Sequence, residues 1–519
     1  MSTTDPNDQT NRALATSLVT RCRTLLAELD AFQALLAQTQ RNPQTVEVRS
    51  LRSNAFSELR TLEKLEAKVR AVEEDDDNDD NGDGDIENED ALRLGHALRS
   101  SNLPFYEAVW AIAKNTCSGL AVFGKRFYWG VAAEEDAAAA AGGKRSNKDK
   151  RKSVFVDIVA ADGEEWVKIS TISETRLLFE MAKKGWEADD SDDSEGEART
   201  VLRNFEGDEG EEDEEDDQLE LIKLASDLRK AADATRVRYR HPRLRFVIPK
   251  VEEGTSSEID GLLKLIRGYG ITVVCGEKAY AAKETQGDFL THLLPQPFAR
   301  FTPTLNVDCT LLLAVVSDLS HRKDITQSPI HHKAINRQIE IEHERPLLPK
   351  ELWPAMGDHQ LVCTEEAAQR FKEIVAIIGT ETEQQRTKIL MGEAPFTDYS
   401  REDLLRKYQE LSDYEIPSQW KLPVKTVEAQ STIASARDNG KLPPVCRKVE
   451  DILSDINYSV FLYGWAARVA TISSNRTVVK QIEAIVEKHR DGDEDLEGPL
   501  IWVCDTARSL IGKEKGRKN

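Results

Sequence analysis

Residues 301–321 read FTPTLNVDCTLLLAVVSDLSH. Thr304–Val307 is a short apolar-rich segment of strand type, Asp308 closes it, and Cys309–Leu319 is an apolar run that reads as a helix. A strand passing through an acid into a helix fits an open parallel α/β sheet, in which ligands bind outside the carboxyl ends of the strands. An Asp at that junction either holds a divalent cation or caps the helix. The sequence leaves both open.

Around this segment the 519-residue chain divides by charge. The net charge is −22, yet residues 73–90 carry −12 and residues 187–217 carry −15, which leaves about +5 elsewhere. Tracts so rich in Asp and Glu cannot bury a core and read as solvated, disordered spacers. The folded remainder is mildly basic and compatible with an anionic partner. The expected organisation is a helical hairpin at 11–72, an acidic linker at 73–90, an α/β domain in two parts (91–186 and 218–290) around the tract 187–217, and a C-terminal domain at 300–512.

The hairpin rests on two apolar stripes at three- and four-residue spacing. Leu14, Leu18, Cys22, Leu25, Leu29, Phe32 and Leu36 form one; Val48, Leu51, Ala55, Leu59, Leu62, Leu65 and Val69 form the other. They read as packed on their own domain rather than as a coiled-coil face held open for a partner. Further along, Leu120–Trp129 is strand-like, and Val154–Ala160, Asp162-Gly163 and Trp166–Ile172 form a hairpin. Gly268 and Gly270 precede the strand Ile271–Cys275, so they end a helix and are no dinucleotide fingerprint.

Other bounds are brief. The N-terminal residues are polar and of no secretory type. The densest apolar run, Leu311–Val316, falls far short of the roughly 20 residues that span a membrane. Seven scattered cysteines without a Cys-x-x-Cys pair suit a reduced, intracellular compartment, cytoplasm or nucleus, and indicate no zinc site.

Several constellations carry weaker chemistry. Asp79 to Asp90 follows a calcium-loop spacing, with Asp instead of Glu at its last position; a solvated linker is the simpler reading. Asp157 and Lys168 sit on the two strands of a hairpin as in restriction-type nucleases, but Trp166 stands where a metal ligand belongs. His331, His332, Glu340, Glu342, His343 and Glu344 read as a polar helix surface. The basic cluster from Lys144 to Lys152 fits a nuclear-import signal or a solvated loop equally, and Ser194 suits an acid-directed kinase. Arg236, Arg238, Arg240, Arg243 and Arg245, interleaved with Tyr239 and leading into Phe246, offer a surface for nucleic acid or an edge strand.

The run Asn306-Val307-Asp308-Cys309-Thr310-Leu311-Leu312-Leu313 resembles the first motif of the PIN-like nuclease superfamily. Other pieces match in order: Trp166-Val167-Lys168-Ile169, Gln338…Glu342…Pro346, Leu361-Val362-Cys363, Gly379…Glu383…Arg386, Ser473-Ser474-Asn475 and Ala507-Arg508-Ser509-Leu510. Together they resemble domain-of-unknown-function family 1308 (the UPF0415 proteins), which carries its own N-terminal domain. The resemblance implies a C-terminal PIN-like α/β/α sandwich with a mostly parallel sheet, preceded by an α/β domain and the N-terminal helical hairpin. It also implies carboxylates gathered around Mg²⁺ or Mn²⁺ to activate water against a phosphodiester.

Carried over by position, Asp308 is the first acid. The second aligns with Arg370, flanked a helical turn away by Glu366 and Glu373, and the third falls near Gly464-Trp465, where no carboxylate stands. Asn475 occupies the last. The candidate metal set is therefore Asp308, Glu366, Glu373 and Asn475, with Asp308 as the catalytic candidate. The expected function is a degenerate nuclease-like module that binds RNA or a protein partner. The alternatives are an active Mg- or Mn-dependent ribonuclease, or a scaffold using the hairpin and acidic tracts.

Overall fold

The computed structural model describes residues 11–39, 46–76, 84–130, 152–184, 219–281, 290–329, 331–504 and 507–511. The tract 187–217, Ser194 and the basic cluster 144–151 lie outside them, as do residues 77–83 of the acidic linker. Residues 84–90, read as linker, belong to a helix, Gly84–Arg99. The chain forms two units, 1–237 with 241–296, and 238–240 with 297–519.

In the first unit, Asn11–Thr39 and Arg49–Asp76 are the two helices of the hairpin. Their stripes are buried: Leu18, Cys22, Leu25, Leu29, Phe32 and Leu36 pack with Leu51, Ala55, Leu62, Trp110, Phe123, Ile158 and Val167. Each such leucine contributes about 1.5–3 kcal/mol when fully buried, so the stripe belongs to this unit's own core.

The sheet beneath it runs in the order β1 (Val122–Trp129), β2 (Lys152–Ala160), β3 (Glu165–Ile169), β4 (Arg243–Ile248) and β5 (Ile271–Cys275). β1, β2 and β3 pair antiparallel; β3, β4 and β5 pair parallel. The β2–β3 hairpin turns through Ala161, Asp162 and Gly163, all with positive φ, which is the backbone an Asp-Gly turn supplies. The edge-strand reading of the arginine run is corrected here. β4 lies between β3 and β5, and its alternation reflects one face packed on the helices and another that carries Arg245.

The second unit holds a wholly parallel sheet of β6 (Thr304–Val307), β7 (Gln360–Thr364), β8 (Lys425–Val427), β9 (Ala470–Ser473) and β10 (Ile501–Val503). Its order is β10-β9-β6-β7-β8. The chain builds outward from β6 to β7 and β8, then returns to place β9 on the other side of β6. The chain leaves β6 in opposite directions, so the switch point of the sheet lies at the carboxyl ends of β6 and β9, where open α/β sheets bind their ligands.

The period of two decides which layer each side chain meets. Leu305, Val307, Leu361, Cys363, Ala470 and Ile472 point into one layer, with the helices Cys309–Val316 and Glu365–Ile378. Val362 points into the other, with Asp455–Ala467 and Arg476–Lys488. Helices thus cover both faces, as an α/β/α sandwich requires.

The apolar run after Asp308 is not one helix. It stops at Val316 and restarts as Asp318–His321, because Ser317 is extended (ψ 135°). The Ser317 hydroxyl accepts from Leu319 N at 3.2 Å and donates to Ser509 O at 2.7 Å, which fixes the break.

Candidate functional site

Asp308 follows β6 directly and is buried at the switch point. It occupies the N-cap position of Cys309–Val316, yet its side chain makes no cap hydrogen bond. Oδ2 instead accepts from Ser473 Oγ at 2.6 Å, across from the end of β9, and from Thr310 Oγ1 at 2.7 Å. Ser473 Oγ in turn accepts from Asn475 N at 3.0 Å, and Thr310 Oγ1 from Ser474 N at 3.4 Å. One carboxylate is thereby tied through hydroxyls to the loop after β9. Burial pushes the Asp308 carboxyl up, and the Ser473 and Thr310 hydroxyls offset only part of that.

The other candidate positions do not complete a metal set. Asn475 caps Arg476–Lys488, its Oδ1 accepting from Val478 N at 3.3 Å. Its carbonyl oxygen is therefore committed to the backbone. Glu373 is exposed, faces Arg370 at 3.5 Å and accepts from Gln369 at 3.0 Å. Glu366 has one buried carboxylate oxygen without a hydrogen-bond partner.

Gly464, near the expected third acid, packs its helix onto β9 so closely that a Cβ would stand 2.0 Å from Thr471 Oγ1. A carboxylate side chain has no room there. Among the described residues, no three His, Cys, Asp or Glu side chains come together so as to hold a metal ion. A donor set of one carboxylate and two hydroxyls does not fit a Mg²⁺ or Mn²⁺ pair.

The switch point also gathers the starts of three helices. The helices Cys309–Val316, Glu365–Ile378 and Arg476–Lys488 all begin directly after the carboxyl ends of strands β6, β7 and β9, and their N-terminal ends favour anions. Arg370 acts on Cys309, whose thiol burial pushes up to about 12, with Asp308 adding to the rise and Arg370 opposing it. Arg370 stands exposed on the helix Glu365–Ile378, beside Glu373 at 3.5 Å.

Residues 305–413 match the family model of a protein of unknown function, DUF1308. The matched segment runs from β6 through Asp308, β7 and the helix beyond it. No curated protein and no solved structure matches the chain.

A second polar centre joins Asp318, Thr380 and Thr382 to the motif residues Glu383 and Arg386, and another joins Gln338 and Glu342 to Arg508 and Ser509. Asp318 accepts from Arg386 Nη1 at 2.7 Å, Thr380 Oγ1 at 2.6 Å and Thr382 Oγ1 at 2.7 Å. Glu383 accepts from Asp318 N and Thr380 N, each at 2.9 Å. Glu342 pairs with Arg508 at 2.6 Å, both buried, and Gln338 Oε1 accepts the N–H and hydroxyl of Ser509 at 2.9 Å each. These contacts pin residues 507–511 to the unit. The motif residues outside the crevice are architectural, and their spacing in the sequence gave no sign of that division.

The remaining candidates disperse. Asp157 accepts from Lys168 and from Ile169 N at 2.7 Å, and Trp166 is buried in the core. His332 caps the helix Lys333–Glu344, and Glu342 serves Arg508. The five arginines divide between the units: Arg236, Arg243 and Arg245 belong to the first, Arg238 and Arg240 to the second. Arg245 donates to Thr116 at 2.9 Å and Cys117 at 3.0 Å, with Glu165 at 3.4 Å, so it is a structural cation. All seven cysteines are free and buried. Among the described residues, no helix is long and apolar enough to cross a membrane.

Proposed function

We propose that the second unit is a degenerate PIN-like module that binds single-stranded RNA at the crevice above Asp308 without cleaving it. The observation that carries this reading is the single carboxylate at the switch point, tied to Ser473 and Thr310 where a nuclease needs several acids. Burial raises the affinity of Asp308 for a proton, which lowers its repulsion toward a phosphate. The three helix N-termini and Arg370 supply the attraction. The DUF1308 match over 305–413 supports the family side of the reading and says nothing of activity.

The test is binding of a labelled single-stranded RNA to the full chain at several salt concentrations. Affinity should fall as salt rises, because phosphate contacts release counterions. Arg370→Glu should weaken binding about tenfold or more, and Asp308→Asn should leave it equal or tighter. Binding indifferent to both salt and Arg370→Glu would sink the crevice as an RNA site.

A further inference from the structure

The amino end of the second sheet carries a different feature. A cavity of about 420 Å³ opens beside the starts of β9 and β10, lined by Arg238, Arg240 and Arg300 and by the rings of Tyr239, Phe301 and Trp502. All of these residues belong to the second unit. Its size is that of a small-molecule site. Phe301 and Trp502 stand edge to face, centroids 6.0 Å apart, with Phe298 closing the cluster at 5.1 and 5.7 Å. An apolar aromatic wall is thus fixed beside three guanidinium groups.

The backbone at the mouth is strained. Arg238 and Tyr239 are consecutive non-glycine residues with φ of 50° and 72°, a conformation that L side chains rarely adopt and that clusters at ligand clamps. The surroundings enforce it: Arg490 donates to Tyr239 O at 3.1 Å, and Arg240 pairs with Glu497. Gly498 lies so close to Tyr239 that a Cβ would stand 2.2 Å from the ring. This strain presents two arginine side chains and one ring to a single cavity.

The geometry points to a binding site for a nucleoside phosphate, its base against the Phe301–Trp502 wall and its phosphate on the arginines. Aromatic rings take any base by stacking, and arginine forks match phosphate oxygens. Glu483, also in the lining, offers an acceptor for a ribose hydroxyl or a base amino group, while Glu497 holds Arg240 in place. The same chemistry arises from a free mononucleotide or from a terminal RNA residue. The site lies at the other end of the sheet from Asp308 and stands independently of the crevice reading.

Calorimetric titration of the full chain with AMP, UMP, adenosine, inorganic phosphate and a short RNA tests it. AMP and UMP should bind, and adenosine and phosphate should each bind at least about tenfold more weakly, since each lacks half of the recognition. Trp502→Ala and the double variant Arg238→Gln/Arg300→Gln should each weaken mononucleotide binding by roughly tenfold or more, the scale of one lost stacking or phosphate contact. If Trp502→Ala fails to fold by circular dichroism, the arginine double variant decides.

With the crevice disabled by Arg370→Glu, loss of the short RNA on adding the arginine double variant assigns the site to an RNA terminus, and no further loss assigns it to free nucleotides. No mononucleotide binding, or binding unchanged in the arginine variant, overturns the inference. RNA binding without mononucleotide binding removes the cavity and spares the crevice, and the opposite result does the reverse.

Discussion

Asp308 and Asp318 stand in one short stretch of chain, both buried, and their surroundings drive them apart. Burial pushes both upward. At Asp318, hydrogen bonds from Thr380, Arg386 and Thr382 outweigh that push and hold the carboxyl below its ordinary range. At Asp308 only the hydroxyls of Ser473 and Thr310 and local backbone amides oppose it, and the carboxyl ends above its ordinary range. One is paired with Arg386 and held by the Thr380 and Thr382 hydroxyls. The other, among the described residues, is bonded to hydroxyls and to no cation. Two buried carboxylates thus differ in what balances their charge, which burial alone does not reveal.

The largest effect should come from breaking the Asp318–Arg386 pair. Arg386 also donates to Val316 O at 3.0 Å and to Leu411 O, so Arg386→Ala strands Asp318 and two carbonyls. Removing one partner of a buried pair costs about 3–5 kcal/mol. Urea unfolding should show a loss of that order, and a loss below about 1 kcal/mol would erase the contrast between the two aspartates.

A smaller effect, of opposite sign in pH, should separate them further. The folded Asp318 pKa lies below the unfolded value. Its contribution is therefore present above the unfolded pKa and disappears as pH falls through the folded one. The folded Asp308 pKa lies above the unfolded value, so the folded chain binds the proton more tightly and stability falls as pH rises between the two. Asp308→Asn should accordingly equal the parent chain in stability at low pH and exceed it at neutral pH. A variant less stable at neutral pH would show that the charged form of Asp308 is needed by the fold.

The contrast also explains how much was legible. Leu305 and Val307 announce a buried strand through composition and period, and Asp308 announces its end, whereas β9 (Ala470–Ser473) is too short to announce itself. The helix break at Ser317 was invisible, because the bonds that fix it come from Ser509 and Leu319 and the Leu311–Val316 run alone favours continuing. The division of motif residues was equally hidden. Glu342 and Arg508 lie 166 residues apart, and nothing local tells a carboxylate that meets an arginine from one that faces a crevice. The arginine run read as one surface because it is contiguous in sequence, whereas the fold sends Arg245 into a strand core and Arg238 and Arg240 to the other unit.

The most direct measurement is incubation of labelled single-stranded RNA with the purified chain and with Asp308→Ala, in Mg²⁺ and then in Mn²⁺. Intact RNA in every lane, with salt-sensitive binding by both proteins, is the expected result. Metal-dependent cleavage by the parent chain that vanishes in Asp308→Ala would contradict it and make the crevice a nuclease site.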